Sequence, residues 1–159
     1  MRVIGIDPGT GILGFGIIDA SNHQTTLVDG GVIRTPVKED DAIRLNTIYT
    51  ELTDIIKSTN PKIMVIEKLF FAQNVTTAMT VAQARGIVML CGVQAKLQIF
   101  EYTPLQIKLS LTGYGRADKK QIQEMVKIIL KLKDIPKPDD CADALAAAIC
   151  HSMTMRDNS

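Results

Sequence analysis

The chain has 159 residues, 46% of them hydrophobic and 22% charged, with three cysteines and a formal net charge of +1. That length suits one domain with a sizeable core, and so balanced a charge does not by itself announce a nucleic-acid partner. An odd number of cysteines without a CxxC pair excludes a zinc ribbon and fits free thiols in a reducing cytoplasm. No apolar run approaches the roughly 20 residues that span a bilayer, and the opening residues read as a strand, not a signal peptide. No membrane partner is expected.

The first element, Arg2-Val3-Ile4-Gly5-Ile6-Asp7-Pro8-Gly9-Thr10-Gly11, is an apolar strand that ends in a carboxylate and then turns. A nearly continuous apolar run is the mark of a central strand covered on both faces. An acid at the end of a buried strand is costly without compensation. Asp7 can receive it from a bound cation, or can simply begin the turn through a side-chain hydrogen bond.

Residues 12–19 and 25–34 read as two more strands joined by a short polar connection, so the first three strands form an antiparallel meander. Residues 40–59 change period: Ile48, Leu52, Ile55 and Ile56 form the stripe of an amphipathic helix, stopped by Asn60-Pro61. Lys62-Ile63-Met64-Val65-Ile66-Glu67 repeats the opening pattern of an apolar strand closed by an acid. Residues 75–97 form a long helix in which Ala78, Ala82 and Gly86 stand four apart. That stripe either admits a second copy's helix or packs on the chain's own sheet. Residues 98–102 make a short strand. Thr103-Pro104 is an N-cap with proline at the first helical position, and this helix ends near Thr112-Gly113. Further helices are expected over 118–132 and 139–153, with 157–159 a frayed tail on a single domain of residues 1–156. The resulting order, β-β-β-α-β-α-β-α-α-α, implies an α/β fold: a mixed five-stranded sheet with helices on both faces. His23 and His151 are expected to face solvent, and the cysteines to fill core space.

Charge is unevenly distributed. Residues 108–137 carry eight basic side chains against three acidic ones, so the remainder of the chain is net negative. Such asymmetry suits a phosphate-binding face beside an acidic site, or a solvated helix face. Lys108, Arg116, Lys119 and Lys120 are the candidate phosphate contacts on that face. The acids converge by pattern. If the strands ending in Asp7 and Glu67 are parallel neighbours, both carboxylates emerge at the end of the sheet where ligands of open α/β folds bind. Asp140 and Asp143 share one face of the last helix's first turn, where acids also serve as N-caps or complement the helix dipole. Hard oxygen ligands without His or Cys select Mg²⁺ or Mn²⁺. Four carboxylates can hold two such ions about 4 Å apart, the arrangement for phosphodiester hydrolysis.

Gly5-Ile6-Asp7-Pro8-Gly9-Thr10, Ile66-Glu67-Lys68-Leu69-Phe70-Phe71 and Asp140-Cys141-Ala142-Asp143-Ala144-Leu145-Ala146 resemble the motifs of the RuvC family, the bacterial Holliday-junction resolvases. So do Gln83-Ala84-Arg85-Gly86 and the segment from Glu101-Tyr102 to Lys108. The resemblance covers nearly the whole chain. It implies an RNase H-like fold, a homodimer, and Mg²⁺-dependent cleavage of four-way DNA junctions by paired symmetric cuts in recombination and repair, with Mn²⁺ as substitute and two ions per site. It further implies that Asp7, Glu67, Asp140 and Asp143 are the catalytic, metal-binding acids, and that Lys108 and Lys119 lie near the scissile DNA. Phe70 matches the aromatic that contacts junction bases; Phe71 follows at once, and either ring can be the one exposed. Association with a RuvA–RuvB-type branch-migration complex is a further implication. The rival readings are an actin-like or sugar-kinase ATPase, for which one such domain is too little, a non-catalytic junction-binding module, and an RNase H-like nuclease for RNA–DNA hybrids or other branched DNA.

Overall fold

The computed structural model describes residues 1–68 and 75–157. Phe70, Phe71 and the last two residues of the expected tail lie outside these. Strands β1 (Arg2–Asp7), β2 (Ile12–Ala20) and β3 (Thr25–Arg34) form the antiparallel meander. Strands β4 (Ile63–Glu67) and β5 (Gln98–Tyr102) extend the sheet in parallel with β1, giving the order β3-β2-β1-β4-β5. Side chains alternate across the sheet with the strand period of two. Ile4, Ile6, Met64 and Ile66 face α1 (Asp41–Thr59) and α2 (Val75–Gln94). Val3, Ile63 and Val65 face α3 (Pro104–Thr112), α4 (Lys119–Ile129) and α5 (Asp139–Asp157). Burial on both faces is why β1 and β4 read as unbroken apolar runs.

Helix α5 is the centre of the second layer. Ala144 to Ser152 are all buried. Its alanines matter because the helix lies almost on the backbone of β1 and β2. Gly5, Gly14 and Gly16 form the floor beneath it: a Cβ on Gly5 would collide with the Ala144 carbonyl oxygen, one on Gly14 with that of Asp140, and one on Gly16 with the Leu145 side chain. Gly5 pairs across the strands with Gly16, and Gly14, two residues before it on β2, pairs with Asp7. At its far end the helix outruns the expected stop near Met153 and continues to Asp157. Arg156 ties it down by donating from Nη2 to the Ser21 carbonyl at 2.6 Å and to Thr25 Oγ1 at 3.0 Å.

This centrality corrects the expectation for His151. It is not solvent-facing but fully buried, with Nδ1 2.9 Å from the Tyr102 hydroxyl and its ring 4.4 Å from that of Phe100. Position near a helix end implies exposure only for a surface helix. His23 is exposed, and all three cysteines are buried and unbridged.

Helix α2 corrects a second expectation. With 20 residues and a mean hydropathy of 1.2 in its best window, it is long and apolar enough to cross a membrane by length and composition. Ala78, Ala84, Val88, Cys91 and Gly92 turn inward. Met79, Ala82, Gly86, Met89, Leu90 and Val93 lie exposed on the other side. The stripe of Ala78, Ala82 and Gly86 therefore splits, because four-residue steps drift by about 40° each around a helix of 3.6 residues per turn.

The glycine floor yields a test. Gly14→Ala should push the N-terminal turns of α5 off β2 and destabilise the chain by about 1–3 kcal/mol, which thermal melting reads as about 2–4 °C per kcal/mol at this size. An unchanged melting temperature would contradict the close approach.

Candidate active site

Parallel pairing of β1 with β4 aligns Ile6 with Ile66, so Asp7 and Glu67 leave the sheet side by side at the carboxyl ends of their strands. The turn after Asp7 is fixed by residues that sequence reading passed over as mere punctuation. Thr10 Oγ1 donates to the Thr80 carbonyl at 2.7 Å, Thr35 Oγ1 donates to the Thr10 carbonyl at 2.5 Å, and Arg44 Nε donates to Thr35 Oγ1 at 3.0 Å. The Asp7 side chain is not used to build that turn; its carboxyl instead meets that of Asp140. Close seating of α5 on Gly14 brings Asp140 there, and the three-residue spacing puts Asp143 on the same helix face.

The electrostatics follow from this convergence. Burial, then the charges of Asp143, Glu67 and Asp140, push the Asp7 carboxyl up to about 8. Glu67 is raised by burial and by Asp143, against the opposing pull of Lys119 and Lys108. Asp143 is raised by burial, although Lys119 draws it down. Asp139 lies apart: it is exposed, accepts from Gln123 Nε2 at 3.1 Å, and stands 3.5 Å from Lys119 Nζ. Of the two adjacent acids, Asp140 is the one turned to Asp7.

Lys119 Nζ also stands 3.3 Å from Asp143. Burial disfavours its ammonium, but Asp143 and Asp139 outweigh that and its pKa is raised. Lys119 and Lys108 line a hollow of about 320 Å³ together with Glu67, Asp143 and Pro104. On the other side of Glu67, a hollow of about 240 Å³ is lined by Asp7, Glu67, Lys68 and Arg85. There Arg85 forms an ion pair with Glu101, the β5 residue in register with Ile66. The motif segment of residues 83–86 contained this arginine; its partner is visible only once β5 pairs with β4. Lys108 and Lys119 thus join the acids, whereas Arg116 and Lys120 are exposed and outside that hollow.

Among the described residues, no three His, Cys, Asp or Glu side chains are grouped as a ready-made metal cage. The donor set nonetheless fits a hard divalent cation: only oxygen ligands, on two rigid strand ends and one helix turn, with carboxyls whose proton affinity is raised by burial first and by neighbouring acids second.

A mixed sheet in this order, with acids at the ends of β1 and β4 and at the start of α5, defines an RNase H-like nuclease fold. The family model "Crossover junction endodeoxyribonuclease RuvC" matches residues 3–151. The chain belongs to the RuvC family. It is 50% identical over 158 residues to the RuvC of Halothermothrix orenii, covering 99% of this chain and 96% of that one. It is 53% identical over 154 residues to that of Alkaliphilus oremlandii, covering 97% and 94%. The solved Thermus thermophilus RuvC superimposes with a TM-score of 0.92 at 32% identity, over 99% of this chain and 97% of that one. The same protein in complex with a Holliday junction substrate gives 0.91 at 30% identity, over 99% and 96%. Membership in this family makes the chain a metal-dependent endonuclease.

The raised carboxyl of Asp7 makes stability depend on pH. Without divalent ions, the folded chain holds this proton up to about pH 8, whereas an ordinary aspartate releases it near 3.8. Folding takes up a proton between those values, so stability falls as pH rises through that window. Asp7→Asn removes the loss. In chelator, its melting temperature should match the parent near pH 4 and exceed it at pH 8 by on the order of 1 kcal/mol or more, about 2–4 °C per kcal/mol. A difference that does not vary with pH would contradict this.

Proposed function

We propose that the chain is a homodimeric, Mg²⁺-dependent endonuclease that resolves four-way DNA junctions by paired symmetric incisions in recombination and repair. The observation that carries this reading is the meeting of four carboxylates from three distant segments beside Lys108 and Lys119. The junction-bound T. thermophilus relative supports the choice of substrate.

Asp7, Glu67, Asp140 and Asp143 would hold the cation, with Mn²⁺ able to replace Mg²⁺ and two ions suited to four carboxylates. Such ions, when bound, supply an activated water and charge neutralisation at the leaving oxygen. Cation binding would take the place of the proton on Asp7 and offset the burial of Glu67. It would also release Lys119 from Asp143, freeing the ammonium to meet the scissile phosphate. Lys108, across the same hollow, meets that phosphate from α3. Arg116 and Lys120 meet phosphates further along the strand.

A junction presents two strands of like polarity for cutting, and one copy has acids for one site. A two-fold dimer matches two sites to a nearly two-fold substrate. The exposed face of α2 supports this: Met79, Ala82, Gly86, Met89, Leu90 and Val93 form an apolar stripe on which a second copy can pack, with Ala82 and Gly86 allowing close approach. Its membrane-like hydropathy then belongs to a subunit interface. Association with a RuvA–RuvB-type complex is supported by family membership. A cytoplasmic location is supported by the three unbridged thiols.

The test is incubation with a synthetic four-way junction and Mg²⁺, beside linear duplex and RNA–DNA hybrid. Glu67→Gln should bind the junction and cut at least about a hundredfold more slowly, as expected when a metal-centred step is lost. Preferred cleavage of the hybrid would overturn the reading.

Assembly is tested separately. Ala82→Arg places a charge in the apolar stripe and should give a folded monomer by sedimentation that nicks junctions without pairing the two cuts. A variant that remains dimeric would move the interface elsewhere.

A further inference from the structure

The hollow that holds Glu67, Asp143, Lys108 and Lys119 has a neighbour with which it shares two walls. Ala117 and Asp118, which wall it, also wall a second hollow of about 450 Å³ bordered by Leu111, Tyr114, Lys120, Gln121 and Met125. Tyr114 stands in the turn between α3 and α4 and is 54% exposed.

That turn is rigid. Gly113, at φ +70°, caps α3 and donates its N–H to the Leu109 carbonyl at 2.8 Å. The Tyr114 N–H donates to Thr112 Oγ1 at 3.1 Å, that hydroxyl donates to the Lys108 carbonyl at 2.7 Å, and the Ala117 N–H reaches the Tyr114 carbonyl at 3.2 Å. Gly115 seats the turn on Leu105, whose Cδ1 lies 2.8 Å from where a Cβ would stand. A large aromatic side chain is thus fixed at the backbone. Among the described residues its ring joins no aromatic pair and its hydroxyl no hydrogen bond.

The surroundings say what would cover it. Lys120 lines the same hollow, and Arg116 follows two residues after Tyr114 in the exposed turn; neither forms an ion pair among the described residues. Asp118 is occupied as the N-cap of α4, accepting from the Gln121 N–H at 2.8 Å. Glu124, one turn beyond Lys120, is the other acid on this hollow. An aromatic face with unpaired cations on its own turn and hollow, next to a phosphodiester-cleaving site, has the chemistry that holds an unstacked base between two phosphates. We propose that Tyr114 is a stacking platform for a nucleobase of the strand being cut, within a few nucleotides of the scissile phosphate, with Arg116 and Lys120 on the flanking phosphates. This rests on the reading of the chain as a junction nuclease.

The experiment uses the full chain and a four-way junction in Ca²⁺, so that binding is read without cutting. Tyr114→Ala should raise the junction Kd about tenfold, the loss typical of one base–aromatic stack. Tyr114→Phe, which keeps the ring, should bind as the parent does. Abasic sites are then placed one at a time around the cut. One position should weaken the parent by the same factor and leave Tyr114→Ala unaffected, which a merely structural role for the ring would not produce. Parental affinity in Tyr114→Ala, or losses that simply multiply at every abasic position, would overturn the proposal. If the unsubstituted chain binds no junction at all, the junction-nuclease reading itself fails.

Discussion

Like charges held together against their repulsion are the constraint on which the rest of this structure depends. Three carboxyls, Asp7, Glu67 and Asp143, have their proton affinity raised by burial and by neighbouring acids. Such a cluster opposes folding, so rigid elements must impose it. Two parallel strands fix Asp7 beside Glu67. A helix seated on bare glycine backbone brings Asp140 and Asp143 over them. Widening that seat by one methyl group would relieve the repulsion and dissolve the site together.

The cations nearby are arranged around the same problem. Lys119 neutralises Asp143 from the start of α4, and Lys108 offsets Glu67 from α3. Both helices are held by capping boxes, Thr103 with Gln106 and Asp118 with Gln121, so the lysines sit at fixed places on the rim of the groove. A divalent cation held by these acids would supply the charge compensation that Lys119 gives Asp143 here, leaving the lysine free for a phosphate.

Much of this was legible in the sequence because it rests on period and punctuation. The apolar runs closed by Asp7 and Glu67 gave parallel central strands, and Thr103-Pro104 and Asp118 gave helix starts within a residue or two. The resemblance to a known family supplied the ordered acids. What escaped depends on contacts between distant residues. Gly5, Gly14 and Gly16 look like ordinary strand glycines until α5 is laid over them. Arg85 shows no partner until β5 brings Glu101 alongside. His151 was misjudged because nothing local marks α5 as the buried centre of its layer. The stripe of Ala78, Ala82 and Gly86 divided because four-residue spacing drifts around the helix, and the apolar face of α2 became plain only when the inward residues were known.

The central claim is that carboxylates from three segments form one cation site. Paramagnetic resonance of Mn²⁺ titrated into the chain at pH 8 tests it most directly, since free and bound ions are distinguished without any substrate. The account predicts saturable binding that is lost in Asp7→Asn and Asp140→Asn and kept in Asp139→Asn. Undiminished binding by Asp140→Asn, or loss confined to Asp139→Asn, would contradict it.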